Sequence, residues 1–142
     1  MKRGFTLVEV VVVIAILGIT AAAVVPALAK ATTEDDLTRG IRVFGEVLDA
    51  ARAQALRQAT SVSVTFVPET GHYWVSAGAE PLDSGILGLD PGVRLQSPAL
   101  RPSFRFDPLG TADGDSVLLV GPSGARALSL DRWMGALRAP AR

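Results

Sequence analysis

Gly4-Phe5-Thr6-Leu7-Val8-Glu9 opens the stretch that decides how this chain is built. From Phe5 to Ala29 nearly every residue is apolar or small, and Glu9 stands as a lone carboxylate one turn inside the run. Lys2 and Arg3 precede it. About twenty apolar residues at 1.5 Å each match the roughly 30 Å hydrocarbon core of a bilayer. A charge inside such a helix costs roughly 2.5–3.5 kcal/mol at its centre and less near an interface, so it ordinarily has a partner. With both basic residues at the extreme N-terminus, the positive-inside tendency leaves the leader cytoplasmic and the rest of the chain outside.

A short basic leader, a glycine, Phe-Thr-Leu-Val-Glu and a long apolar run together resemble the type IV prepilin family, which includes type IV pilins and the pseudopilins of type II secretion. The resemblance implies cleavage between Gly4 and Phe5 by a prepilin peptidase/methyltransferase, with N-methylation of the new Phe5 amine. It implies that Glu9 faces the Phe5 ammonium of a neighbouring subunit. It also implies a structural filament subunit that resides in the inner membrane, with a periplasmic head, before assembly. Two other readings of the same run stay open. One is a secretory signal peptide cut after Ala27-Leu28-Ala29; the other is a plain single-pass anchor. A signal-peptide core is usually only about 7–15 residues long, and Glu9 weakens both alternatives.

Gly18 and Pro26 interrupt the run. Proline lacks an N–H and crowds the carbonyl one turn back, so Pro26 is expected to kink or loosen the helix near Ala22. After Lys30 the pattern becomes amphipathic. Leu37, Ile41, Phe44, Leu48, Ala51 and Ala55 recur at spacings of three and four, with charges on the other face. Gly40 reads as a weak point, costing about 1 kcal/mol against alanine. Thr33-Glu34-Asp35-Asp36 marks either a break or a fresh N-terminus. The expectation is one nearly continuous helix from Phe5 to about Ala59.

The period then switches to two. Ser61 to Val67 alternates, Pro68-Glu69-Thr70-Gly71 turns, and His72 to Ser76 returns as the second strand of a hairpin. Residues 78–92 read as a loop carrying Ile86, Leu87 and Leu89, with a short strand or a flap as options. Val93–Gln96 and Ser103–Phe106 read as short strands. Asp107-Pro108-Leu109-Gly110 reads as a turn and Thr111 to Asp115 as a loop. Ser116–Val120 and Ala125–Leu130 form a hairpin, and Trp133 and Leu137 begin a last strand or cover the sheet edge. The fold class is α+β: a long N-terminal helix packed on a mostly antiparallel sheet. The expected divisions are a leader at 1–4, a transmembrane and filament-core helix at 5–29, its amphipathic continuation at 30–59, and a periplasmic β-rich head at 60–142.

The head narrows the resemblance. Ala51 to Gln58, the alternating strand, the hairpin ending near Trp74 and the late Phe104-x-Phe106-Asp107-Pro108-Leu109-Gly110 look like the minor pseudopilin GspH and the related FimT/FimU minor pilins. The closing Asp131-Arg132-Trp133-Met134-Gly135 departs from the Gly-Arg turn and basic strand common there. The departure leaves secretion, pilus and DNA uptake open. Arg126, Arg132, Arg138 and Arg142 make the end of the chain locally basic and are the candidate DNA contacts. Phosphate contact of that kind would carry no sequence readout.

The rest of the composition argues against other chemistry. Across 142 residues, 14 basic side chains balance 14 acidic ones, so no large basic field exists for nucleic acid. There is no cysteine, hence no thiol nucleophile or zinc-thiolate site. His72 is the only histidine and falls in a strand beside aromatics, as a partly exposed sheet residue rather than a general base. Asp113-Gly114-Asp115 with Asp107 lacks EF-hand spacing and reads as turn chemistry. Trp74, Trp133 and Phe104 read as core or edge cover. The expectation is no enzyme, no metal and no cofactor. The expected partners are other pilin or pseudopilin subunits, the processing peptidase, inner-membrane lipid before assembly, and DNA as a minor alternative.

Overall fold

Asp35 sits in extended backbone, with φ −60° and ψ 136°, and the chain turns helical at Asp36. In the computed structural model, which describes residues 7–32 and 35–139 with side chains of 21–32 left out, the long helix is therefore two helices. Helix α1 covers Leu7–Thr32 and α2 covers Asp36–Gln58. This corrects the single continuous helix. Helical propensity runs on through the acidic cluster, but the backbone bond from the Arg39 N–H to the Asp35 carbonyl, at 3.0 Å, starts a new ladder. The two helices fall into separate units, 1–34 and 35–142.

In the first unit, α1 is apolar on every side, and its large side chains from Leu7 to Ile19 are exposed. Pro26 lies within it, with its side chain outside the described residues. The Thr20 hydroxyl donates back to the carbonyls of Ile16 and Leu17 at 2.9 and 3.0 Å, so the one hydroxyl in the second half of the described run is satisfied by its own helix. Among the described residues, no helix is long and apolar enough to cross a membrane. Part of the crossing expected of 5–29 lies outside the described side chains.

Among the described residues of the second unit, nine strands form two antiparallel sheets. The first contains β1 (Val62–Val67), β2 (His72–Ala77), β3 (Glu80–Ile86), β5 (Ser103–Phe106) and β6 (Ala112–Gly114), in the order β3-β2-β1-β5-β6. The second contains β4 (Arg94–Gln96), β7 (Val117–Gly121), β8 (Gly124–Leu130) and β9 (Leu137–Arg138), in the order β4-β7-β8-β9. Strand β3 takes up the short-strand option within 78–92, and β6 replaces the loop expected at Thr111 to Asp115. Neither shows alternation of apolar residues; β3 even carries Pro81 and a register shift opposite Val75/Ser76. Both are edge strands, specified by the neighbour whose ladder they complete.

Helix α2 packs on β1 and β5 of one sheet and on β7 and β8 of the other. Its apolar stripe delivers Leu37, Phe44, Leu48, Ala51 and Ala55 to the core, as its spacing predicts. Val62, Val64 and Phe66 meet them from β1, all fully buried. At the centre Phe44 lies 4.8 Å from Phe66 and 5.6 Å from Phe104, and Phe66 lies 5.8 Å from Phe104. The two contacts to Phe104 are edge-on, at 80° and 78°, the arrangement that ring quadrupoles favour. Gly40 is no weak point here. A Cβ at that position would come within 2.6 Å of the Leu119 side chain, so the missing side chain is what lets α2 approach β7 closely.

The end of α2 carries strain of its own. Ala59 adopts φ 49°, ψ 39°, the left-handed cap usually given to glycine, and its N–H and that of Thr60 both return to the Ala55 carbonyl. A left-handed alanine costs roughly 1–2 kcal/mol, only part of which glycine forfeits again through the entropy of its unfolded chain. Ala59→Gly is expected to raise head stability by about 0.5–1 kcal/mol, read as a higher denaturant midpoint with an unchanged slope.

Candidate functional site

Three places carry the candidate functional residues: the start of α1, the turn pair at one end of the head, and the last strands. Glu9 occupies the first turn of α1, where a carboxylate is favoured by the unsatisfied N–H groups of the helix start. Its neighbours in the run are Val8, Val10, Val11, Val12 and Val13, all exposed. An all-round apolar helix is the signature of a segment buried in something other than its own domain, whether lipid or a bundle of like helices. Gly4 and Phe5, the expected processing pair, lie outside the described residues, as does Arg142.

The turn pair is built by two aspartates. Asp107 accepts from the Ser61 hydroxyl at 2.8 Å and from the Thr111 hydroxyl at 3.4 Å, tying the β5–β6 turn to the chain just after α2. Asp131 accepts from the N–H groups of Trp133 and Met134 at 2.9 and 3.0 Å, and pairs with the Arg138 guanidinium at 2.8 Å. Gly135 closes that turn at φ 58°, its N–H returning to the Asp131 carbonyl at 2.8 Å. The two turns abut, because a Cβ on Gly135 would lie 3.1 Å from the Gly110 carbonyl.

This geometry corrects the reading of Trp133 as edge cover. Because the Asp131 carboxylate gathers the backbone of 133 and 134 inward, their side chains project outward, 80% and 65% exposed. Leu109, at the tip of the neighbouring turn, is 91% exposed. The last strand consists of Leu137 and Arg138 and does not include Trp133. Trp74 is also corrected, being 44% exposed on the outer face of β2, whereas Phe104 is fully buried.

Hydrogen bonds from Met134 and Trp133, and after them the charge of Arg138, hold the Asp131 carboxyl below the usual carboxylate range. A lowered folded-state value means stability that is present above the ordinary range and lost as pH falls through the lowered one. Asp131→Ala is therefore expected to lower the unfolding midpoint at neutral pH, and the gap to the wild type should close in strong acid. Paired melts at the two pH values check it; a gap that persists in acid would show that the carboxylate charge is not its source.

The three described arginines do not converge on one surface. Arg126 is half-buried, on the same face of β8 as the buried Leu128. Arg132 is exposed in the turn, and Arg138 is engaged by Asp131. Two acidic residues of the 107–115 segment are used structurally: Asp107 in the turn described above, and Asp115, which accepts the Ser103 N–H at 2.9 Å. Among the described residues, no cluster of three or more metal-type ligands occurs.

Residues 1–25 match the family described as the prokaryotic N-terminal methylation motif. Beyond that N-terminal motif, the likeness to known proteins is one of fold alone. Two crystal structures of the type IV minor pilin FimU from Pseudomonas aeruginosa PAO1 are similar to this chain. One, in space group P21, has a TM-score of 0.58 at 16% identity and covers 74% of this chain and 88% of that one. The other, in space group P65, has a TM-score of 0.54 at 16% identity and covers 72% and 91%. No curated protein matches the chain in sequence.

Proposed function

We propose that the chain is a minor pilin or pseudopilin, a non-enzymatic structural subunit of a type IV pilus or a type II secretion pseudopilus. It is cut between Gly4 and Phe5, methylated on the Phe5 amine, and held in the inner membrane with a periplasmic head until it joins the filament. Its partners are other pilin-type subunits, the peptidase that trims it, and lipid before assembly.

The observation that carries this reading is a helix apolar on every side with one acid in its first turn, followed by a separately cored head. The head has a core of its own, and the exposed apolar side chains of α1 from Leu7 to Ile19 call for lipid or other subunits as cover. The prepilin motif over 1–25 supports the processing step. Glu9 is proposed to meet the Phe5 ammonium of an adjacent subunit. Among the described residues, Arg126, Arg132 and Arg138 give the DNA-uptake alternative no single surface to build on.

Mass spectrometry of the chain purified from cells with an active prepilin peptidase tests the proposal. The expected mature N-terminus is Phe5 carrying one methyl group. A chain beginning at Lys30 would overturn the filament reading and leave a secreted β-rich module.

A further inference from the structure

We propose that the outward face of the five-stranded sheet binds a neutral, extended oligosaccharide of pyranose rings, with Trp74 as its stacking surface. Alternation sends Val62, Val64, Phe66 and Val75 into the core and sets Thr65, His72 and Trp74 on the opposite face. There the Trp74 and His72 rings lie near-parallel, 20° apart in plane, with centroids separated by 6.2 Å. Register then surrounds the indole with hydroxyls. Trp74 stands between Ser84 on β3 and Thr65 on β1, and Ser103 on β5 follows Thr65. Among the described hydrogen bonds, none uses the side-chain hydroxyl of these three residues; Ser84 and Ser103 donate only their backbone N–H groups. Neighbouring strands are about 4.8 Å apart, close to the length of one pyranose unit, so successive rings of a glycan lying across the strands would meet successive hydroxyls.

The charge of the face selects the class of ligand. Its arginine, Arg105, lies 4.0 Å from the Asp107 carboxylate and directly opposite Asp113. A phosphate backbone needs unopposed positive charge, which this surface does not offer. Trp74 and Arg105 are residue types that a protein partner would use as anchors, but the positions between them, Thr65 and Ser103, carry only hydroxyls, and serine and threonine are under-represented among interface hot spots. An indole face bordered by free hydroxyls and balanced charge matches a sugar ring, which has an apolar C–H face and a rim of hydroxyls.

The test uses the full chain in a zwitterionic detergent that has no sugar headgroup. It is titrated, by tryptophan fluorescence and calorimetry, with chitohexaose, with cellohexaose and with an oligothymidylate. Saturable, salt-independent binding of at least one hexasaccharide is expected. Trp74→Ala should weaken it about tenfold or more, the loss of one stacked ring. Thr65→Val keeps the β-branched strand residue and removes one hydroxyl, and should weaken binding severalfold. Trp133→Ala should leave it unchanged. Failure of both sugars to bind, wild-type affinity in both Trp74→Ala and Thr65→Val, or salt-sensitive binding of the oligothymidylate alone would each overturn the assignment.

Discussion

Replacing Phe44 by alanine is expected to destabilise the head by about 3–5 kcal/mol. The side chain is fully buried and touches aromatic rings from two strands, Phe66 on β1 and Phe104 on β5. The loss combines the transfer energy of the ring with the cavity left among groups that relax only in part, and aromatic pairing adds about 0.5–1.5 kcal/mol per pair beyond area. A domain of this size is stable by only about 5–15 kcal/mol, so a large share would go at once. Denaturant unfolding of the full chain in detergent, followed by circular dichroism, measures it. Phe44→Leu, which fills more of the space, should cost clearly less. A loss below about 1 kcal/mol for the alanine variant would mean that the three rings are not the centre of the core.

The second large effect falls on assembly rather than folding. Glu9→Ala is expected to leave the chain in the membrane fraction and the head folded, while incorporation into filaments is lost. The proposed pair joins a carboxylate in an apolar run to an ammonium on an adjacent subunit. Removing one member of a buried ion pair costs about 3–5 kcal/mol, because the other is left uncompensated. In equilibrium terms that is about two to four powers of ten per contact. Immunoblots of sheared filaments against membranes read the outcome directly. Wild-type incorporation of Glu9→Ala would sink the pairing, though processing at Gly4 could still hold.

Much of this was legible in the sequence, and the reasons are local. The stripe from Leu37 to Ala55 and the alternation of Val62, Val64 and Phe66 each record a face buried against a partner, and such faces leave a periodic trace. The turns at Pro68–Gly71 and Asp107–Gly110 were readable because their residue types fit the backbone they require. What stayed hidden depends on contacts distant in sequence. Strand β3 is mostly exposed and has no pattern of its own. Gly40 looked like a helix defect until β7 was seen beneath it. The outward pose of Trp133 follows from a carboxylate two residues earlier, which a rule that sends large apolar side chains inward does not anticipate. The methylation motif was plain for the opposite reason: it is one contiguous run, residues 1–25, so all its information is linear.

No strand pairing joins the two sheets among the described residues; α2 lies across both. Under mechanical load this makes the helix a rivet. A pull that peeled α2 away would strip the inner lining from both sheets in one event, so the head should resist tension as a unit and then yield in a single rip, with no half-open form between.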